Sequence, residues 1–322
     1  MKKPLISVVM SVYNSEKWLR ESIESVLHQS YSNFEFVIIN DGSEDNSKKI
    51  LDEYSKKDDR IKVFHQKNKG LTASLNEGVK KSNGEYIARL DADDISLSDR
   101  LKIQLEEIER KKLDLIASNF TEIDHQGSKI NFYDIRNKEG EIIKHFLGGN
   151  SLFPHSSVMF KKKVFAEVGG YDIFFKKSQD IDLWLRWYEK KFKIGFCENE
   201  SPMILLRKHE ESITYNQSDD VYTCLAILNH YSRKNNLIEC TKIEKNGIDN
   251  LILKLKNNNI YKIISYKMSI RFILKNFFNR ALKLSFLSLI NIARKWPLVN
   301  FKLYLNPNLK LYEKLFNQLI KH

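Results

Sequence analysis

Residues 84–94 read Gly-Glu-Tyr-Ile-Ala-Arg-Leu-Asp-Ala-Asp-Asp. The stretch from Glu85 to Leu90 has the length and composition of a buried strand, and it runs directly into Asp91, Asp93 and Asp94. Three carboxylates within four residues repel one another and raise each other's proton affinity unless a cation stands among them. Hard oxygen donors favour Mg²⁺ or Mn²⁺, and a diphosphate can complete the coordination shell. The plainer alternative is that the acids solvate a turn and favour the N-terminus of the next helix, whose apolar positions are Leu101, Ile103, Leu105 and Ile108.

Upstream, the same strand-then-helix unit repeats. Residues 6–13, 34–39 and 61–64 are rich in Ile, Val and Phe without clean alternation, as strands covered on both faces are. Between them lie helical patterns: one through Leu19, Ile23, Val26 and Leu27 with Ser15 as the expected N-cap, one through Ile50, Leu51 and Tyr54, and one over residues 71–79. Such alternation predicts an α/β fold with a mostly parallel sheet flanked by helices and right-handed crossovers. In these sheets ligands bind beyond the carboxyl ends of the strands, so the loops at Asn14, Asp41 and Asp91 share one edge.

The second part is mixed. Residues 115–123 and 129–133 flank Asp124-His125-Gln126-Gly127 and are expected to form a hairpin. A strand is expected over 156–160, a helix ending at Gly169-Gly170, a helix over 181–190 and a strand over 203–207. Beyond Tyr215 the pattern turns helical, with no glycine past Gly247, which places a boundary at 212–218 and a helical C-terminal extension after it.

The 322 residues are 42% apolar and 29% charged, enough for a sizeable core and about two domains. The net charge of +12 is concentrated in residues 251–322, which hold 14 Lys or Arg against the single acid Glu313 and leave the first 250 residues at −1. Cys197, Cys224 and Cys240 are too few and scattered for a disulfide framework or zinc site, and a reducing cytosol suits them. The longest uncharged apolar run, residues 284–293, is half the ~20 residues of a membrane-spanning helix, so no crossing of a bilayer is expected.

Other candidate groups stand at element ends. Asp41, in Ile39-Asn40-Asp41-Gly42-Ser43, can accept hydrogen bonds from a ligand N–H or form an Asx-turn. Tyr13 can pack on a planar base or belong to the core. Asp180, in Gln179-Asp-Ile-Asp-Leu-Trp184, can act as a general base or stabilise a helix N-terminus, and Asp182, two positions on, points elsewhere. Arg207 and His209 can bind phosphate and metal, or form a solvated basic turn.

Four segments occur in order: residues 6–14 (ISVVMSVYN), 36–43 (FVIINDGS), 84–94 (GEYIARLDADD) and 179–186 (QDIDLWLR). Together with Asn68-Lys-Gly70, Asn76-Glu-Gly78, Gly169-Gly-Tyr171 and Arg207-Lys-His209, they resemble a glycosyltransferase family 2 enzyme of GT-A fold over residues 4–214. The resemblance implies an inverting transferase using a nucleotide-sugar donor, usually with Mn²⁺ or Mg²⁺, and a UDP-sugar is the first expectation. Its donor half is residues 1–114, its acceptor half 115–214, and residues 215–322 form the basic helical extension. It implies that Tyr13 and Asp41 meet the nucleotide base. Asp91 and Asp93 fall on the DxD motif, Asp93 as direct metal ligand and Asp91 nearer ribose or metal, and Asp180 is the base. His209 joins the metal, and Arg207 the phosphate. The family often has Glu before the base, where this chain has Gln179. At family level the acceptor is a saccharide or lipid-linked, in bacterial surface polysaccharide, capsule or lipopolysaccharide assembly.

In the basic extension Lys267, Arg271 and Lys275 recur every four residues, and Ile263, Ile270 and Phe277 every seven. That pattern suits a helix on an anionic membrane surface at the inner face of the cell membrane, or one packed on the catalytic domain or on a second copy in a homodimer. Two other functions share some of these features. A metal-dependent sugar nucleotidyltransferase would share the sheet and acids, but no Gly-rich N-terminal phosphate loop is present. A nucleic-acid-binding protein would rest on the basic extension alone, with no recognisable binding motif, so no nucleic-acid partner is expected.

Overall fold

The computed structural model describes residues 4–212 and 221–234. The chain divides into two compact units, Met1–His230 and Tyr231–His322, and both sheets lie in the first. It opens with β1 (Ile6–Val12), α1 (Glu16–Leu27), β2 (Phe34–Asn40), α2 (Ser47–Lys57), β3 (Ile61–His65), α3 (Leu71–Lys81), β4 (Tyr86–Arg89), β5 (Ile95–Ser96) and α4 (Arg100–Arg110). There follow β6 (Leu115–Ala117), β7 (Phe120–Ile123), β8 (Lys129–Tyr133), α5 (Ile142–Phe146), β9 (Val158–Lys161), α6 (Lys162–Glu167), α7 (Gln179–Glu189), β10 (Ile194–Phe196), β11 (Ile204–Arg207) and α8 (Val221–Lys234).

Every residue of β1, β2 and β4 is buried, as the continuous apolar runs require when helices cover both faces. A seven-stranded sheet has the order β10-β6-β9-β4-β1-β2-β3. Its pairs are parallel except at β9, which runs antiparallel to both β4 and β6. A four-stranded sheet, β5-β11-β7-β8, stands beside it. The α/β architecture agrees with the expectation.

Two local expectations are corrected. Residues 115–123 are not one strand: β6 joins the large sheet and β7 the small one, with Ser118 and Asn119 fully buried between them. Asn119 makes the change of sheet tolerable, because its side chain donates to Asn199 O (3.1 Å) and Glu200 O (3.2 Å) and accepts from Ile135 N (2.9 Å). Ser15 does not cap α1 with its side chain, which donates to Tyr13 O at 3.1 Å. Instead α1 and α2 cap each other. Asp45 accepts from Glu16 N at 2.9 Å, and Glu16 accepts from Asn46 N at 2.8 Å, which ties the β1–α1 loop to the β2–α2 loop.

The expected boundary at residues 212–218, apart from Ser212, and the basic pattern through Ile263, Lys267, Ile270, Arg271, Lys275 and Phe277 lie outside the described residues. No helix among the described residues is long and apolar enough to cross a membrane.

At the edge opposite the site, Glu35 is buried within β2. Its carboxylate accepts from Ser7 Oγ (2.5 Å), Lys62 Nζ (2.6 Å) and Asn83 N. Burial opposes its charge, yet Lys62, Ser7 and Asn83 overcome that and hold the carboxyl at about 2 rather than 4.5. A depressed folded-state value means the contribution is complete above the unfolded value and is lost as pH falls from about 4.5 toward about 2. Its magnitude is up to about 3 kcal/mol. Urea unfolding at pH 7 and pH 3 should show the stability difference shrinking in Glu35→Gln; an unchanged difference would contradict this assignment.

Candidate active site

Strand length shapes the carboxyl edge of the sheet. β1 and β2 stay in register to Val12 and Asn40, whereas β4 pairs with β1 only to Val9 and Arg89. Asp91 therefore lies level with Ser11, about 7 Å short of the rim formed by Tyr13 and Asp41. Tyr13 is 48% exposed at that rim and offers a planar surface to a ligand. Asn14, at φ 48°, reverses the chain there, and its side chain accepts from Glu44 N at 2.8 Å.

Asp41 is buried and fully engaged. One carboxylate oxygen accepts from Gln66 Nε2 (2.7 Å) and Lys69 N (2.8 Å), and the other from Gly70 N (2.8 Å). Its contribution to the rim is thus to shape the 66–70 loop. Gly42, at φ 75°, admits that loop, since a Cβ would come within 2.8 Å of Asn68 N.

The acidic turn resolves its repulsion residue by residue. Asp91 Oδ1 accepts from Arg89 Nη2 at 2.5 Å. Ser156 Oγ lies 2.9 Å from Asp91 Oδ2 and 2.5 Å from Asp94 Oδ2, and it accepts from Asp91 N at 3.0 Å. Burial, then the Asp93 and Asp91 charges, pushes the Asp94 carboxyl well above the ordinary carboxylate range. Burial also opposes ionisation of Asp91, but Arg89 and the Ser156 hydroxyl hold it below that range. One hydroxyl proton cannot serve two carboxylates. With Asp94 protonated, Asp94 donates to Ser156 Oγ, which donates to Asp91, and all four positions of the Ser156 oxygen are used.

Asp93 is turned the other way. Its Oδ2 lies 2.8 Å from His209 Nε2, and the His209 ring packs on Trp18 with centroids 4.1 Å apart. His209 Nδ1 is buried without a hydrogen-bond partner. Arg207 reaches the turn as a buried clamp: its guanidinium donates to Asp93 O (3.0 Å), Asp124 O (3.3 Å) and Glu21 (2.6 Å), and its N–H to Asp94 Oδ1 (2.9 Å). Among the described residues no group of three or more His, Cys, Asp and Glu side chains is arranged to hold a metal ion. Asp93 and His209 nonetheless supply one hard oxygen and one imidazole nitrogen in contact, a pair that suits Mn²⁺ or Mg²⁺ if further oxygens come from a ligand.

Asp180 sits half-buried in the first turn of α7, after Ser178 at φ 54°. Asp182 diverges from it, fully buried and paired with Arg186 at 2.8 Å. The loop before α7 is fixed by Asn76, which donates to Tyr171 O (2.8 Å) and accepts from Tyr171 N (2.9 Å). Thr72 donates to Phe175 O. The buried Tyr171 hydroxyl lies 2.6 Å from His155 Nε2. Burial raises the Tyr171 phenol above its ordinary value; the Arg89 charge works against this, and the Asp180 and Asp91 carboxylates both add to it.

The profile described as glycosyl transferase family 2 matches residues 7–169. The chain belongs to that family. An uncharacterized glycosyltransferase of Methanocaldococcus jannaschii, MJ1057, is 34% identical over 241 residues, 73% of this chain and 82% of the relative. Glycosyltransferase GlyG of Streptococcus pneumoniae is 30% identical over 281 residues, 83% of this chain and 89% of GlyG. The solved structure of S. aureus TarS 1–349 with UDP-GlcNAc superposes with a TM-score of 0.58 at 19% identity, over 70% of this chain and 66% of that one. Mannosyltransferase PcManGT from Pyrobaculum calidifontis, solved with GDP-Man and Mn²⁺, has a TM-score of 0.55 at 12% identity, over 99% of this chain and 86% of that one. The fold of this family 2 glycosyltransferase is GT-A.

Several groups of the transferase's site escaped sequence reading. Ser156, His155, Arg89, Trp18 and Glu21 carry no local signal of function, because Ser156, Trp18 and Glu21 act through partners at least 62 residues away, His155 acts through Tyr171 and Arg89 acts as a buried charge. A strand near 156 was legible; its antiparallel direction, which sets Ser156 against Asp91, was not. Ser156→Ala leaves Asp91 N and both carboxylates short of a partner, so the folded protein should lose about 1–3 kcal/mol. Chemical denaturation checks this, and a stability unchanged from wild type would count against the shared-hydroxyl arrangement.

Proposed function

We propose that this glycosyltransferase moves a sugar, with inversion, from a nucleoside-diphosphate donor to a hydroxyl of a saccharide or lipid-linked acceptor. The single observation that carries the reading is the acidic turn after β4, with Asp93 against His209, on the sheet edge that also carries the exposed Tyr13. A UDP-sugar is the donor we favour. Tyr13 packs on the base, the loop organised by Asp41 closes its side, and Asp91 accepts from the ribose or faces the metal. Asp93 and His209 would hold Mn²⁺ or Mg²⁺, whose chemistry when bound is to neutralise charge on the departing diphosphate. Arg207, committed to Asp93 O, Asp124 O and Glu21, keeps the turn in place rather than meeting phosphate.

Asp180 accepts the proton of the acceptor hydroxyl as its oxygen bonds to the anomeric carbon and the bond from that carbon to the diphosphate breaks. A single in-line displacement inverts the carbon. Gln179 in place of an acid leaves this half of the site with one carboxylate at the helix start, since Asp182 is held by Arg186. Family membership supports a role in bacterial surface polysaccharide assembly, at the cytoplasmic face of the membrane, with residues 251–322 as the basic contact to lipid or to a second copy.

Asp180→Asn should lower turnover by ~10²–10⁴-fold while donor affinity stays near wild type, as steady-state kinetics and calorimetry would read. Wild-type turnover would remove Asp180 from the reaction. Asp93→Ala should abolish any Mn²⁺-dependent thermal stabilisation by nucleotide sugars, tested on a panel that includes UDP- and GDP-linked donors. Stabilisation retained in that variant would show that the metal binds elsewhere. Released nucleoside diphosphate, not pyrophosphate, is the expected product.

A further inference from the structure

The acidic turn and Asp180 belong to distant parts of the chain, and a short buried chain of side chains runs from the turn to α7, the helix that carries Asp180. Ser156 bonds both Asp91 and Asp94. Its neighbour His155 meets the Tyr171 hydroxyl through Nε2 at 2.6 Å and packs edge-on against Trp184 of α7, with centroids 5.9 Å apart at 83°. Asp180 lies four residues before Trp184, so the two share one helix face, and that face is the one turned to His155. Tyr171 is in turn held by Asn76 on α3 through both of its backbone groups. The pair therefore touches the donor side at Ser156 and the base side at α7, with α3 as a fixed abutment.

We propose that His155 and Tyr171 are a positioning pair that sets the separation between the acidic turn and Asp180. The inference rests on the reading of Asp180 as the base. Neither residue meets the reacting atoms. His155 is joined to Ser156 through the backbone and meets Trp184 with its ring, and the Tyr171 hydroxyl holds that ring in place, so loss of the hydrogen bond should affect the rate of the chemical step more than the capture of donor. Burial, with the Arg89 charge added, pushes the His155 imidazole down to about 3, so the ring is neutral in ordinary buffer and adds no charge beside Asp91. A neutral spacer there leaves the balance between Asp91 and Arg89 undisturbed.

The test is a double-mutant cycle on the full chain, following nucleoside diphosphate release. Tyr171→Phe keeps the ring and removes the hydroxyl; kcat should fall about 10- to 100-fold with donor KM within about twofold. Combined with Asp180→Asn, it should add no more than about threefold to the loss from Asp180→Asn alone, because the pair acts through that carboxylate. His155→Gln, which still offers Tyr171 a polar partner, should recover part of the turnover lost in His155→Ala, and this comparison reads the same coupling should Tyr171→Phe fail to fold. Losses that multiply in the double variant, or a Tyr171→Phe effect confined to donor KM, overturn the positioning role while leaving the base in place. Wild-type turnover in Asp180→Asn overturns the reading of the base itself, and the inference with it.

Discussion

Three carboxylates at the end of a buried strand impose the constraint around which this site is built. Two unit charges about 4 Å apart repel by about 4 kcal/mol at an effective dielectric of 20. The turn cannot persist with all three ionised and unpaired. Asp91 is balanced by the buried Arg89 guanidinium, burial and the neighbouring charges raise the proton affinity of Asp94 beside Ser156, and Asp93 faces His209. Each solution draws on a different element, so the turn acts as the knot that binds β4, β9 and β11 together.

Register explains how those elements arrive. β9 is antiparallel in an otherwise parallel sheet, with Ala88 opposite Met159, which carries the residues just before it to the carboxyl end of β4 and sets Ser156 beside Asp91. β5 pairs antiparallel with β11, Leu205 opposite Ile95, and this alignment delivers Arg207 and then His209 to Asp93. A second sheet that would otherwise be an appendage is thereby made a wall of the site. Its hairpin turn is anchored to the first sheet's helices, since Trp18 donates to His125 O at 3.2 Å.

The opposite wall is stiff for a different reason. Phe153, Trp184, Trp187, Phe160 and Phe196 are fully or almost fully buried and meet at tilted and edge-on angles, which seats α7 on the sheet through close-packed rings. Asp182 and Arg186 lock the far side of the helix by a buried ion pair. Asp180 stands in the first turn of this fixed body.

The sequence alone determined the alternation of strands and helices, the edge shared by Tyr13, Asp41 and Asp91, and the family, because these depend on runs and motifs a few residues long. Burial periodicity is local, and so is an acid cluster at a strand end. It did not reveal that residues 115–123 change sheet at Asn119, that Asp41 spends both oxygens on the 66–70 loop, or that Arg207 is a buried clamp. Nor could it pair Ser156 with Asp94 or His155 with Tyr171. Those facts follow from strand direction and register between segments far apart in the chain, and only the folded packing of both sheets decides which distant polar groups must satisfy one another away from water.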